Sequence, residues 1–155
     1  MIKVTFVCLG NICRSPMAEL IFKDMLEKEG LADLFEADSC GTSSCEAGNP
    51  VYAPAKAALE RHGISGTHIA RKITDDDFAR SDYILAADSE NMSYLTRRAA
   101  ESGYLGKLHR ICDFTSRPRD VADPWYTRDF EKTYADVTDG CRGFLEYLKQ
   151  RGELR

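Results

Sequence analysis

The stretch that decides the fold is Lys3-Val4-Thr5-Phe6-Val7-Cys8-Leu9-Gly10-Asn11-Ile12-Cys13-Arg14-Ser15-Pro16. Lys3 to Val7 are β-branched and apolar enough for a buried strand, and Ser15 followed by Pro16 predicts a helix N-cap with proline at the first helical position. Gly10 and Asn11 lie between, where the backbone must take unusual angles. A strand that runs through a tight loop into a helix turns backbone N–H groups and the positive end of a helix dipole into one concavity, which attracts phosphate or a similar oxyanion. Cys8 and Arg14 stand at its two ends. Arg14 offers a planar fork of donors to two phosphate oxygens, and the same field favours the Cys8 thiolate, a nucleophile toward phosphorus. A small buried thiol and an ordinary surface cation are the plainer reading of this pair. The strand before, Gly10 and Asn11 within, and Ser-Pro after favour function. The loop lacks G-x-x-x-x-G-K-[ST] and is not a Walker loop.

Outward from this loop, strands and helices alternate. Met17, Leu20, Ile21, Met25 and Leu26 recur at helical spacing, with Gly30 as a stop. Phe35 to Ser39 predicts a second strand, and residues 40–54 concentrate Gly, Ser, Asn and Pro in a long irregular stretch of the kind that often carries function. Ala55 to His62 predicts a helix closed by Gly63. Thr74, with Asp77 three residues on, predicts a capped short helix, and the aspartates there read as helix-start chemistry rather than a metal site. Asp82 to Ala87 predicts a third strand, Met92 and Leu95 a helix, Leu108 to Cys112 a fourth strand, and the stripe from Phe130 to Leu148 a long amphipathic helix. This alternation argues for a parallel sheet with helices on both faces and a site beyond the strands' carboxyl ends.

With 155 residues, 43% hydrophobic and 30% charged, the chain has the size and composition of one soluble domain. A net charge of −4 argues against nonspecific nucleic-acid binding. Met1 to Val7 leads straight into a strand without a basic region and long apolar run, so a cytoplasmic protein with reduced thiols is expected, and no run is long enough for a bilayer. The six cysteines have neither C-x-x-C pairs nor a histidine spacing typical of zinc sites. Cleavage of a phosphate ester needs a proton donor, and His62, His68, His109 and many carboxylates qualify on chemistry alone. Asp123 stands out modestly, because Pro124 restricts it to extended geometry and Trp125 and Tyr126 could hold a flat leaving group. Asp-Pro is also a common turn, and Asp120 lies three residues away.

The segment V-C-L-G-N-I-C-R-S-P, Val7 to Pro16, resembles the signature of low-molecular-weight protein tyrosine phosphatases. The likeness extends through Asp38-Ser39-Cys40-Gly41-Thr42-Ser43, Arg61-His62-Gly63-Ile64 with His68, Asp82-Tyr83-Ile84-Leu85 to Asp88, and Asp123-Pro124-Trp125-Tyr126. The resemblance implies a phosphotyrosine phosphatase I-like fold. That is a three-layer α/β domain over residues 1–155 with a four-stranded parallel sheet, order 2-1-3-4, flanked by helices. It implies hydrolysis of phosphotyrosine and aryl phosphates through a phosphocysteine, with Cys8 as nucleophile, Arg14 as phosphate clamp and Asp123 as general acid and then base. Leu9, Gly10, Asn11, Ile12, Cys13, Ser15, Trp125 and Tyr126 become substrate-binding residues. Ser15 donates to the thiolate, and Ser39 and His68 support Asn11 in a strained geometry. No metal and no cofactor is expected. The expected partners are phosphotyrosine proteins, with a cognate tyrosine kinase left open. Phosphate-like oxyanions are expected to inhibit, and a monomer that binds neither nucleic acid nor membrane is the default. Oxidation joining Cys8 to Cys13 would guard the nucleophile.

Departures from the pattern concern relatives and rim. Ile12 favours a tyrosine phosphatase over its arginine-phosphatase relatives, which typically carry threonine there. Ala86 to Leu95 lacks the cysteine an arsenate reductase of this fold needs, and having Cys8, Arg14 and Asp123 together argues against a silent phosphate-binding module. Cys45 occupies a place that is often aromatic, and Tyr52 is expected to replace part of that wall.

Overall fold

The computed structural model describes residues 1–154, so Arg155, the last residue of the expected domain, lies outside the described residues. Four strands, β1 (Ile2–Cys8), β2 (Phe35–Gly41), β3 (Tyr83–Ala86) and β4 (Leu108–Arg110), form one parallel sheet in the order β2-β1-β3-β4. Order and direction are those the resemblance implied. Side chains alternate across β1, and this decides which helices cover which face. Val4, Phe6 and Cys8 enter a core shared with α1 (Arg14–Lys28), α2 (Ala53–Arg61) and α6 (Phe130–Gln150). Val7, with Ile84 and Ala86 of β3, packs on the other side against α3 (Asp75–Arg80) and α4 (Ser89–Ala99). Phe22 anchors the larger core, with ring centroids 5.7 Å from Phe6, 5.3 Å from Phe35 and 5.8 Å from Phe144. Burial of such a ring contributes about 1.5–3 kcal/mol. Among the described residues no helix is long and apolar enough to cross a membrane.

Three local expectations change. Ser15 is not the N-cap. The helix begins two residues earlier with Cys13 at that position, because the Ser15 hydroxyl is taken up by Cys8 at 2.9 Å and by the Asn11 amide at 2.8 Å. Pro16 then sits at the third helical position, where its missing N–H costs nothing, since the first intrahelical bond runs from Met17 N to Cys13 O at 3.0 Å. β4 ends at Arg110 rather than Cys112. Asp113 accepts from Arg110 N at 2.7 Å and Nε at 2.8 Å, folding Ile111–Phe114 into a 3-10 turn. β2 runs on to Gly41, where a Cβ would lie 2.6 Å from Leu9 O, so the loop after β1 can close down only over glycine. Thr74 and Asp77 form the expected capping box on α3.

A buried acid braces the loop from below. Glu19, on the inward side of α1 and 3% exposed, accepts from Ser39 Oγ at 2.8 Å and meets His68 Nδ1 at 3.1 Å and Lys23 Nζ at 2.6 Å. Burial opposes its ionisation, but the hydrogen bonds from His68, Lys23 and Ser39 outweigh that and hold its carboxyl below the ordinary glutamate range.

Two outcomes are expected. Because Glu19 is shifted below 4.5 in the folded state, the stability it contributes is complete above that value and is lost as pH falls through the lower native one. Urea unfolding followed between about pH 6 and pH 3 should therefore show a smaller acid-side loss in Glu19→Gln than in the native protein. In α6, Gly140 lies against the Ile111 turn so closely that a Cβ would come 2.6 Å from Ile111 Cγ2 and 2.7 Å from its carbonyl oxygen. Helix propensity favours alanine by about 1 kcal/mol, yet overpacking costs about 1–3 kcal/mol, so Gly140→Ala should lower the urea midpoint.

Candidate active site

The loop from Cys8 to Arg14 is wrapped around its own amides. Asn11 adopts the left-handed conformation, φ 60°, which asparagine tolerates better than other residues that carry a Cβ. Its side chain is saturated. Oδ1 accepts from His68 Nε2 at 2.7 Å and Arg71 N at 3.0 Å, while Nδ2 donates to Ser15 Oγ at 2.8 Å and Ser39 Oγ at 3.1 Å. So held, the loop points the Asn11 N–H at Cys8 Sγ, 3.3 Å away, and Ser15 Oγ lies 2.9 Å from the same sulfur. Among the described residues, the amides of Gly10, Ile12, Cys13, Arg14 and Ser15 meet no protein acceptor. Buried amides are rarely left unpaired, and five in one turn form a cradle for an anion.

Arg14 closes the cradle and is only 3% exposed. Its Nη1 donates to Asp88 Oδ2 at 2.7 Å and to Val121 O at 2.8 Å, which leaves Nε and Nη2 for a ligand. Burial works against the buried charge, but the Cys8 thiolate and Asp88 more than compensate, and the guanidinium stays a firm cation. Asp88, which also caps α4, was noted in the sequence only as the end of a matching segment. Its signal is the residue type at the carboxyl end of β3, level with the loop after β1.

Above the cradle opens a slot of about 230 Å³. Cys8, Cys13 and Arg14 line it with Leu9, Gly10 and Ile12, and Asp123, Trp125 and Tyr126 form the opposing side. The side chains of Asn11 and Ser15, expected among the substrate contacts, do not line the slot and are at most 1% exposed; both hydrogen-bond within the loop, and what Ser15 offers to the cradle is its amide. Ser39 and His68 both hydrogen-bond to the Asn11 side chain, at 3.1 and 2.7 Å. Cys45 and Glu46 complete the wall, Glu46 being a residue the sequence reading missed. Tyr52 is not in the slot. Its ring packs behind Trp125, 5.1 Å between centroids, so Trp125 is the wall and Tyr52 its backing.

Geometry narrows the choice of proton donor. His62 stacks on Tyr134 at 3.7 Å and meets Glu131 at 2.8 Å, and His109 lies beside Tyr83 and Phe114. Neither lines the slot, and His68 is committed below the loop. Asp123 begins α5 (Pro124–Thr127), its Oδ1 accepting from Trp125 N at 3.0 Å and its Oδ2 lying 3.6 Å from Arg14 Nη2. Cys13 shares the cradle, but burial first, then the nearby Cys8 and Asp123 charges, push its thiol up to about 12. At neutral pH it is a thiol, not a competing nucleophile.

Residues 3–154 match the family model described as low molecular weight phosphotyrosine protein phosphatase. The low molecular weight protein-tyrosine-phosphatase YfkJ of Bacillus subtilis is 40% identical over 159 residues, covering 99% of this chain and 100% of the relative. Among solved structures, a protein tyrosine phosphatase of Entamoeba histolytica with Hepes in its active site superposes with a TM-score of 0.91 at 31% identity, over 99% of this chain and 100% of that one. A Drosophila arginine phosphatase superposes with a TM-score of 0.90 at 33% identity, over 96% and 98% of the two chains. A match along nearly the whole chain, in sequence and in structure, means that the protein belongs to the low molecular weight phosphotyrosine protein phosphatase family.

Proposed function

We propose that the protein, folded as one domain, is a protein tyrosine phosphatase that cleaves phosphotyrosine and aryl phosphates by way of a phosphocysteine. One observation carries this reading. The Cys8 sulfur sits at the base of a cradle of unpaired amides closed by a buried arginine, with a carboxyl group across the slot. The cradle fits three equatorial phosphoryl oxygens, which leaves the sulfur behind phosphorus and the ester oxygen facing Asp123. The Ser15 hydroxyl and the Asn11 amide stabilise the thiolate that attacks and the thiolate that later departs.

In the first step a Cys8 sulfur lone pair forms the S–P bond while the P–O bond to the aryl group breaks. The bonding pair goes to the aryl oxygen, and Asp123 gives that oxygen its proton. In the second, Asp123 as carboxylate takes a proton from water as the water oxygen attacks phosphorus. The S–P bond breaks, and phosphate and the Cys8 thiolate are regenerated. Neither step calls on a metal or an organic cofactor, and oxyanions shaped like phosphate should compete for the cradle.

The slot also favours an aromatic ester. Ile12 and Trp125 present apolar sides, which suit a phenyl ring better than the guanidino group of phosphoarginine, whose N–H groups would lose their water partners. The shorter phosphoserine is expected to be turned over more slowly than phosphotyrosine, since it brings no ring to the Trp125 and Ile12 sides. The proteins expected as substrates thus carry phosphotyrosine on an accessible segment.

Steady-state hydrolysis of p-nitrophenyl phosphate and a phosphotyrosine peptide, measured near pH 6 in EDTA, tests the reading. Turnover should persist in EDTA and vanish in Cys8→Ser. It should fall roughly 10²- to 10⁴-fold in Asp123→Ala for the peptide. A native protein that turns over neither ester would overturn the assignment.

A further inference from the structure

Asp123 and Cys8 come from opposite ends of the chain, and general acid catalysis needs them in register to within a fraction of an ångström. Arg14 Nη1 donates to Val121 O at 2.8 Å, which ties the two loops upstream of the acid, but at Asp123 itself the link is loose, Oδ2 lying 3.6 Å from Arg14 Nη2. A second link holds the downstream side. Tyr52 N donates to Ile12 O at 2.9 Å, which ties Tyr52 to the phosphate loop. Its ring then meets Trp125 at 5.1 Å and Phe130 at 6.0 Å, and its hydroxyl accepts from Arg128 Nη2 at 3.1 Å. The Arg128 guanidinium lies 5.5 Å from the Tyr52 ring centroid, 5.8 Å from Trp125 and 5.6 Å from Phe130.

Arg128 reaches this place from a left-handed backbone, φ 59°, as the residue that closes α5, its N–H donating to Pro124 O at 2.8 Å. That conformation is disfavoured for any residue with a Cβ, and glycine is the usual occupant. Among the described residues its side chain makes no ion pair, and its one hydrogen bond goes to Tyr52. A planar cation stacked among aromatic rings is stabilised by their quadrupoles, a contact a lysine ammonium reproduces poorly.

We propose that Arg128 is a positioning residue that latches the acid loop to the phosphate loop. It clamps Trp125 onto Tyr52, Tyr52 is fixed to Ile12, and Asp123, two residues before Trp125, is thereby held over the leaving-group oxygen. The catalytic consequence rests on the phosphatase reading above. The contact itself does not.

Trp125 is the chain's single tryptophan, so its fluorescence reads the latch without reference to activity. Arg128→Ala removes the side chain, and Arg128→Gly removes it while relieving the backbone, so agreement between the two assigns the effect to the guanidinium. In both, acrylamide should quench Trp125 more strongly than in the native protein. The value of kcat/KM should fall roughly tenfold for phenyl phosphate and no more than about twofold for p-nitrophenyl phosphate, whose better leaving group needs the proton less. Equal losses for the two esters, or unchanged quenching in both variants, would refute the latch. A native protein inactive on both esters would instead sink the phosphatase reading.

Discussion

Everything at this site depends on one asparagine held in a left-handed turn. Asn11 is the residue at which the loop reverses so that its amides face inward, and a left-handed residue with a Cβ persists only where its surroundings over-determine it. Four hydrogen bonds to one side-chain amide do so, from His68, from the Arg71 backbone, and to Ser15 and Ser39. The partners arrive from α1, from β2 and from the segment before α3, so the loop's shape is a property of the whole sheet edge. Glu19 extends the brace one layer deeper through Ser39 and His68. A loop held this way needs no reorganisation when charge develops within it, which is how fixed dipoles stabilise a transition state.

The same architecture surrounds two neighbouring thiols differently. Cys8 faces an amide N–H and a hydroxyl at the end of β1. Cys13, five residues on, is buried with the Cys8 and Asp123 charges nearby, which pushes its thiol up. Arg14 is fixed by a similar division of labour. Asp88 and the Val121 carbonyl occupy one nitrogen and hold the guanidinium over the cradle.

Much of this was legible in the sequence because it is local. The strand, the loop and the following helix lie within fourteen consecutive residues, from Lys3 to Pro16, and period-2 and period-3.6 patterns carry the rest of the alternation. The strand order and the role of Asp123 came from resemblance, since neither periodicity nor spacing encodes which strands lie side by side. What local reading got wrong is instructive. Ser15 has the residue type of an N-cap, and its hydroxyl does satisfy a polar need, but that of the thiol and side-chain amide of the preceding loop rather than of its own helix. β4 was drawn too long because Asp113, an ordinary acid in sequence, bends the chain back onto Arg110. Glu19 and Glu46 are not singled out by the sequence, nor is the contact Asp88 makes with Arg14, for one reason. Each is an unremarkable acidic residue whose meaning depends on what the fold brings near it.

Buried and exposed parts of the site then answer to different constraints. The cradle is built from side chains with almost no access to solvent, in which a methyl-sized change disturbs packing as well as chemistry. The rim is exposed, with Leu9 at 47%, Trp125 at 46% and Tyr126 at 78%. A rim residue can change without disturbing the cradle, provided that something still holds the acid loop in place. Here Tyr52 serves from behind the wall rather than within it, and a cysteine and a glutamate stand where the expected aromatic face would be. The result is a slot with one firm aromatic side and one small, partly charged side. The cradle thus lies in the interior, while Cys45 and Glu46 stand at the mouth of the slot, where a change alters its shape and charge without touching the amides beneath.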